Sequence, residues 1–256
     1  MSESPVRAAR ERDGRLLRLA LARPKANVLD EAMIAALGAA LDREAGDPRL
    51  GAILLSHEGP HFSFGASVEE HMPGRFAAML RGFHALILRL ATSPIPVLVA
   101  IRGQCLGGGL ELAAAGHLLF AAPDAKLGQP EIQLGVFAPA ASCLLPERIG
   151  PAAAEDLLLS GRSIGAAEAA TLGLVTAVAE DPEAAARDYF ERHLAPKSAR
   201  ALRFALRAAR MGLVERLAAK LAAVEALYRD ELMQSRDAVE GLEAFVAKRQ
   251  PAWEHR

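Results

Sequence analysis

The sequence predicts an α/β fold, and three observations predict it. Short apolar runs alternate with longer segments whose apolar positions recur every three or four residues. Three consecutive glycines, Gly107 to Gly109, join one such run directly to a helical segment, and from Asp181 onward the pattern is helical only. The 256 residues, 52% of them hydrophobic, suffice for one large domain, or one with an appendage, around a substantial core. A net charge of −1 gives no footprint for nucleic acid or an anionic membrane surface. The two cysteines, Cys105 and Cys143, have no C-x-x-C partner, so neither a disulfide framework nor a metal site is expected, and a reduced, cytoplasmic protein fits. The N-terminal segment up to Arg15 is charged and holds no apolar stretch of signal-peptide or membrane-span length.

In chain order, Leu16 to Leu21 reads as a first strand, stopped by Arg23-Pro24. Asp30 caps a predicted helix over Glu31 to Arg43, with Met33, Ile34, Leu37 and Leu41 on one face. Ala52 to Leu55 is a buried strand. Gly74 to Ala91 carries Phe76, Met79, Leu80, Phe83, Leu86, Ile87 and Leu90 at helical spacing, which reads as a core face. Val97 to Ile101 is continuously apolar, as suits a strand buried on both faces, and Leu110 to Ala115 reads as a helix opening from the glycine turn. Pro151 to Ser160 and Ala166 to Leu172 are short helices, and Gly173 to Val178 is a last strand. Leu213, Leu217, Leu221, Val224 and Tyr228 line one face of a long helix, and Asp237 to Lys248 forms a terminal one.

The strand–glycine–helix junction carries the chemistry. Such a junction presents free backbone N–H groups at the positive end of a helix dipole, without Cβ atoms to keep a ligand away. A developing enolate would be stabilised there as well as a phosphate. By itself the run is equally a tight turn, and Glu111 in the first helical turn is equally a complement to the dipole. A nucleotide-phosphate loop is disfavoured, because Leu112 stands where a third glycine is needed and no Gly-Lys-Ser/Thr loop occurs. The second carboxylate, Glu131 in Gly128-Gln129-Pro130-Glu131, tips the reading toward acid–base chemistry. His57, His61 and His71 are read as packed or surface histidines rather than bases. Ser142 has no G-x-S-x-G elbow around it and is read as a packing residue.

Phe62-Ser63-Phe64-Gly65-Ala66-Ser67, Gly103 through Leu112, and Gly128 through Glu131 together resemble, in that order, the F-x-x-G-A-D/S, G-x-x-x-G-G-G-x-E-L and G-x-P-E segments of the enoyl-CoA hydratase/isomerase (crotonase) superfamily. The resemblance runs from about Leu16 to the C-terminus. It implies a crotonase-like spiral of repeated ββα units over residues 1–195 and a helical region over 196–256 that builds trimers, often paired as hexamers. It implies an acyl-CoA thioester as substrate, no cofactor beyond the coenzyme A of that substrate, and no bound metal, nucleic acid or membrane. Glu111 and Glu131 are implied as the catalytic pair, with the backbone N–H groups of Ala66 and Gly108 as the oxyanion hole. Lys25, Gly65, Ser67, Val68, Gly107, Phe137 and Lys248 are implied contacts to CoA or substrate; for Lys25, a solvated loop position is an equal reading. Ser67 stands where many members carry aspartate, a departure that leaves the backbone role intact.

After Glu131 the chain departs from typical enoyl-CoA hydratases. Their segment is flexible and glycine-rich; Leu134 to Gly150 here reads as a stiffer, bulkier loop, which suggests a pocket reshaped for something other than a linear acyl chain. That loop and Gly65 to Pro73 resemble the dienoyl-CoA hydratase branch, which adds water to cyclohexa-1,5-diene-1-carbonyl-CoA to give 6-hydroxycyclohex-1-ene-1-carbonyl-CoA in anaerobic benzoyl-CoA breakdown. A 2-enoyl-CoA hydratase or isomerase on linear chains is the alternative. A non-catalytic RNA-binding or scaffold member of the fold is a third reading, disfavoured by the two retained glutamates and the absent basic surplus.

Overall fold

A computed structural model describes residues 4–44 and 46–256. Its main sheet contains β1 (Val6–Glu11), β2 (Leu16–Leu21), β3 (Ala52–His57), β4 (Val97–Ile101), β6 (Leu118–Ala121) and β9 (Ala177–Val178), side by side as β1-β2-β3-β4-β6-β9. Only the β1–β2 pair is antiparallel; Leu16 pairs with Ala52, Ile53 with Val97 and Leu98 with Leu118 in parallel register. A smaller sheet is built from three-residue strands, β5 (Gln104–Leu106), β7 (Lys126–Gly128) and β8 (Ser163–Gly165). The edge strand β1 lies outside the sequence expectation. Four of its six side chains are exposed, so it carries no apolar signature, and its backbone pairs with β2 along all six residues.

The central strands are continuously apolar because both faces of the sheet are covered. Ile53, Leu55, Val97, Val99 and Ile101 face the main core, with α1 (Glu31–Glu44), α2 (Phe76–Ala91) and α3 (Gly108–Ala115). Leu16, Leu54, Leu98, Ala100 and Phe120 face the other way, where Ala186 of α7 (Pro182–Tyr189) and Phe190 of the π turn Phe190–Leu194 close over them. Arg18 and Arg187 tie that cover to the sheet: Arg18 Nε lies 2.5 Å from Glu183 and Arg187 Nε 2.8 Å from Glu11. Both helices predicted before β4 form, α1 capped by Asp30, whose Oδ1 accepts the Met33 N–H at 2.8 Å.

The segment after Glu131 corrects the expectation of a loop. A short 3-10 turn (Pro130–Leu134) ends on Gly135 at φ +68°, and α4 (Pro139–Ile149) follows after three residues. Pro139 sits in the first turn of α4, where a missing N–H leaves no bond unmade. Ser142 points its hydroxyl back to the Ala138 carbonyl at 2.8 Å. The remaining helices are α5 (Pro151–Ser160), α6 (Ala166–Thr171), α8 (Ala199–Ala209), α9 (Leu213–Asp230) and α10 (Arg236–Val246). Leu217, Leu221 and Tyr228 of α9 are buried, and the helix packs on α2 and α4. Among the described residues no helix is long and apolar enough to cross a membrane.

Candidate active site

The glycine turn between β5 and α3 fixes the centre of the site. Gly107 has φ +51°, a backbone state that favours glycine, and its own N–H is spent on the Gly128 carbonyl at 2.9 Å. Gly65, at φ +106°, turns the other side of the site so that Ala66 faces Gly108; a Cβ added to Gly108 would lie 3.0 Å from the Ala66 nitrogen. The N–H groups of Ala66 and Gly108 have no protein acceptor among the described residues. Two free donors therefore stand side by side at the start of α3, an arrangement suited to negative charge on one oxygen.

A cavity of about 310 Å³ opens onto these donors. Gly65, Ala66, Gly107, Gly108, Glu111 and Glu131 line it, together with the apolar side chains of Met79, Leu80, Phe83, Val136 and Phe137. Glu131 lies directly against Gly107, where a Cβ would sit 2.5 Å from its Oε1. Gln129, almost fully buried, donates from its amide to both Glu131 oxygens at 2.9 and 3.1 Å once that amide is oriented to satisfy the pair. Glu111 projects from the first turn of α3, and its Oε1 accepts the Ala141 N–H of α4 at 2.7 Å.

Both carboxyls titrate far above the ordinary range. Burial raises Glu111 to about 7, opposed by the N–H groups of Ala141 and Ala140 in the first turn of α4. Glu131 is raised well above the ordinary range as well, first by burial and then by the neighbouring charge of Glu111. At Glu111, α4 aims its N-terminal donors at the carboxyl and supports its charged form. Burial, and then the nearby charges of Glu131 and Glu111, raise the phenol of Tyr228 on α9, and its ring packs edge-on against Phe137 at 5.3 Å.

The other residues singled out from the sequence distribute as follows. Gly65, Val68, Gly107 and Phe137 line the cavity. Ser67 does not: its hydroxyl donates to Glu69 at 3.1 Å. Lys25 and Lys248 are exposed and lie outside the cavity lining, although Phe245, three residues before Lys248, is part of it. His61 accepts the Gln104 N–H at 3.2 Å, and His57 packs edge-on to Phe62. His71 lines the cavity but directs its Nδ1 to the Ser67 carbonyl at 2.8 Å. Sequence reasoning missed Gln129, whose signal was a polar side chain inside a glycine–proline turn. It also missed His84, a polar residue set into the apolar stripe of α2.

The sequence matches the family described as enoyl-CoA hydratase/isomerase over residues 11–256. The chain belongs to the enoyl-CoA hydratase/isomerase family. Among its members, the cyclohexa-1,5-dienecarbonyl-CoA hydratase of Thauera aromatica is 64% identical over 258 residues, covering 100% of both chains. A probable enoyl-CoA hydratase of Mycobacterium bovis is 37% identical, over 96% of this chain and 97% of the relative. The crystal structure of an enoyl-CoA hydratase from Mycobacterium avium superposes with a TM-score of 0.86 at 28% identity, over 98% of this chain and 99% of that one. Family membership makes an acyl-CoA thioester the class of substrate and hydration the class of reaction.

Proposed function

We propose that the chain hydrates cyclohexa-1,5-diene-1-carbonyl-CoA to 6-hydroxycyclohex-1-ene-1-carbonyl-CoA. What carries this reading is a buried pair of carboxyls, both with raised proton affinity, beside two free N–H donors in a cavity otherwise lined largely by apolar side chains. The ring comes from the Thauera aromatica relative, named for that substrate and 64% identical over its full length. The thioester oxygen sits between the N–H groups of Ala66 and Gly108. Glu111, ionised, takes a proton from water as the water oxygen bonds to ring carbon 2, the β-carbon. The C1=C2 electrons move toward the thioester oxygen, where losing one donor of such a pair typically costs about 3 kcal/mol. The resulting dienolate collapses with a new C1=C6 double bond while carbon 5, at the far end of the conjugated system, accepts the proton of Glu131. Return of a proton from Glu111 to Glu131 restores the starting state, and the balance is one water added.

The CoA moiety extends past Gly65, Val68 and Gly107 toward Lys25, Ser67 and Lys248, and the apolar wall around Phe137 shapes the ring site. The chain self-associates as a trimer or a dimer of trimers in the cytoplasm, for which the exposed Phe204 and Met211 in the helical region give support. Light scattering of the purified protein measures that mass directly. The activity is tested by incubating the protein separately with cyclohexa-1,5-diene-1-carbonyl-CoA and crotonyl-CoA, following gain of one water by mass spectrometry. Rapid hydration of the diene with little action on crotonyl-CoA is expected. Preference for crotonyl-CoA would favour the linear-chain reading suggested by the Mycobacterium bovis relative.

A further inference from the structure

One side chain of the cavity that holds Glu111 and Glu131 also faces a second hollow. Met79 of α2 lines that cavity and is 7% exposed. Among the described residues it alone lines both the cavity and a surface groove of about 550 Å³ between α1 and α2. The groove is walled largely by small and apolar residues, Ile34 and Ala35 from α1 and Ala78, Gly82 and Leu86 from α2 among them, alongside four charged ones. Phe83 marks where the acyl group begins. Its Cζ would lie 3.5 Å from a Cβ added to Gly108, the residue whose N–H takes the thioester oxygen in the proposed reaction. Met79 and Phe83 are four residues apart, so they share a face of α2 and stand about 6 Å from each other along its axis. An acyl group that starts beside Phe83 and runs toward the start of α2 meets Met79 one turn away.

A side chain on the boundary between two hollows sets the length of what fits in either. We propose that Met79 determines acyl-chain length: its thioether closes the acyl site one turn from Phe83, so the cavity takes a ring-sized acyl group and excludes the tail of a longer linear one. Methionine suits this place, because an unbranched side chain fills an irregular gap that a branched one would leave open. With Met79 shortened, the distal methylenes of a long acyl group pass into the groove between α1 and α2. Each methylene taken out of water there raises affinity about fourfold. This inference rests on the reading that Ala66 and Gly108 hold the thioester oxygen, since that contact fixes the starting point of the acyl group.

The test compares two ligands on three proteins. Titration calorimetry measures binding of butanoyl-CoA and decanoyl-CoA to wild type, to Met79→Ala, and to Met79→Ala combined with Gly82→Leu. Wild type is expected to bind decanoyl-CoA no more tightly than butanoyl-CoA. In Met79→Ala the affinity ratio of decanoyl-CoA to butanoyl-CoA is expected to rise about tenfold or more, the scale of two newly buried methylenes. At Gly82 the nearest atom to an added Cβ is Cγ2 of Ile34 at 4.0 Å, so leucine is accommodated there, fills the groove and is expected to return the ratio to its wild-type value. A wild-type ratio already raised tenfold, an unchanged ratio in Met79→Ala, or a raised ratio that Gly82→Leu leaves in place would overturn the role of Met79. Should Met79→Ala bind neither ligand, Met79→Val, which removes less of the side chain, is read by the same criteria. The affinity ratio does not require turnover, so the two readings fail separately. The expected pattern in a chain that leaves the diene unhydrated refutes the proposed activity alone, and a wild type that binds neither butanoyl-CoA nor cyclohexane-1-carbonyl-CoA refutes both.

Discussion

Replacing Glu111 by glutamine should make the protein more stable as it makes it inactive, and the gain should depend on pH. The folded state holds this carboxyl at about 7 against an ordinary value of 4.5. A group raised in this way binds more protons folded than unfolded between those values, so stability falls as pH rises through the window and the cost is complete above it. At about 1.4 kcal/mol per unit, the ionised side chain costs the folded state about 3 kcal/mol above pH 7 and nothing below pH 4.5. Glutamine has nearly the same shape and retains an oxygen for the Ala141 N–H, so the variant sheds the titration without leaving a cavity. For a chain of this size each kcal/mol moves the melting temperature by about 2–4 °C, which predicts a rise of about 6–12 °C at pH 8.5 and little change at pH 4.5. Thermal unfolding of both proteins followed by circular dichroism across that range reads the difference directly. A melting-temperature gap that stays constant with pH, or one in which the wild type is the more stable at pH 8.5, would refute the argument that burial dominates at Glu111. In the same variant, turnover should fall by about a hundredfold or more.

Three further outcomes follow from the same geometry. The wild-type kcat/KM should change with pH as Glu111 ionises near pH 7; a profile flat from pH 5 to 9 would remove that carboxyl from the chemistry. Gly107→Ala should abolish most activity, since its Cβ would enter to 2.5 Å from Glu131 Oε1 at a backbone angle that alanine rarely adopts; steady-state kinetics would show this as a kcat loss of about a hundredfold or more in a protein that still melts cooperatively. Phe190→Ala, on the sheet face opposite the cavity, should cost about 3–5 kcal/mol in denaturant unfolding with turnover per folded molecule unchanged, and a changed kcat would mean that the outer face communicates with the site.

How far the sequence spoke depended on whether each feature had a local signature. Val97 to Ile101, the glycine turn and α3 were readable because one short stretch carries strand, turn and helix, and the structure gives β4 and α3 there. The apolar stripes of α1 and α2 were readable for the same reason. Strand β1 was not, because an exposed edge strand needs no apolar alternation. Helix α4 lies where comparison with the glycine-rich segment of typical enoyl-CoA hydratases suggests a stiff loop, and that segment is in fact the helix whose first turn serves Glu111. The smaller sheet has strands of three residues, too few to show a period of two. Glu111 and Glu131 were visible as carboxylates in unusual company, but their raised proton affinities depend on how the fold buries them and on the helix end that faces Glu111. The His84 and Glu225 pair joins residues 141 positions apart, and only packing of α2 on α9 brings them together.

In the proposed reaction the two N–H donors for the thioester belong to the backbone of Ala66 and Gly108, and this divides the site by heritability. Single-base changes alter side chains and leave every peptide N–H except that of a new proline in place, so the donors themselves survive most substitutions away from Gly65, Gly107 and Gly108, whose missing Cβ atoms hold their geometry. The apolar lining, made by Leu80, Phe83, Val136 and Phe137 among others, is written in side chains and is open to selection one residue at a time. A lineage with this architecture can exchange the acyl group it accepts by drifting across that wall, while the means of carrying negative charge on a thioester oxygen passes unaltered from parent to descendant.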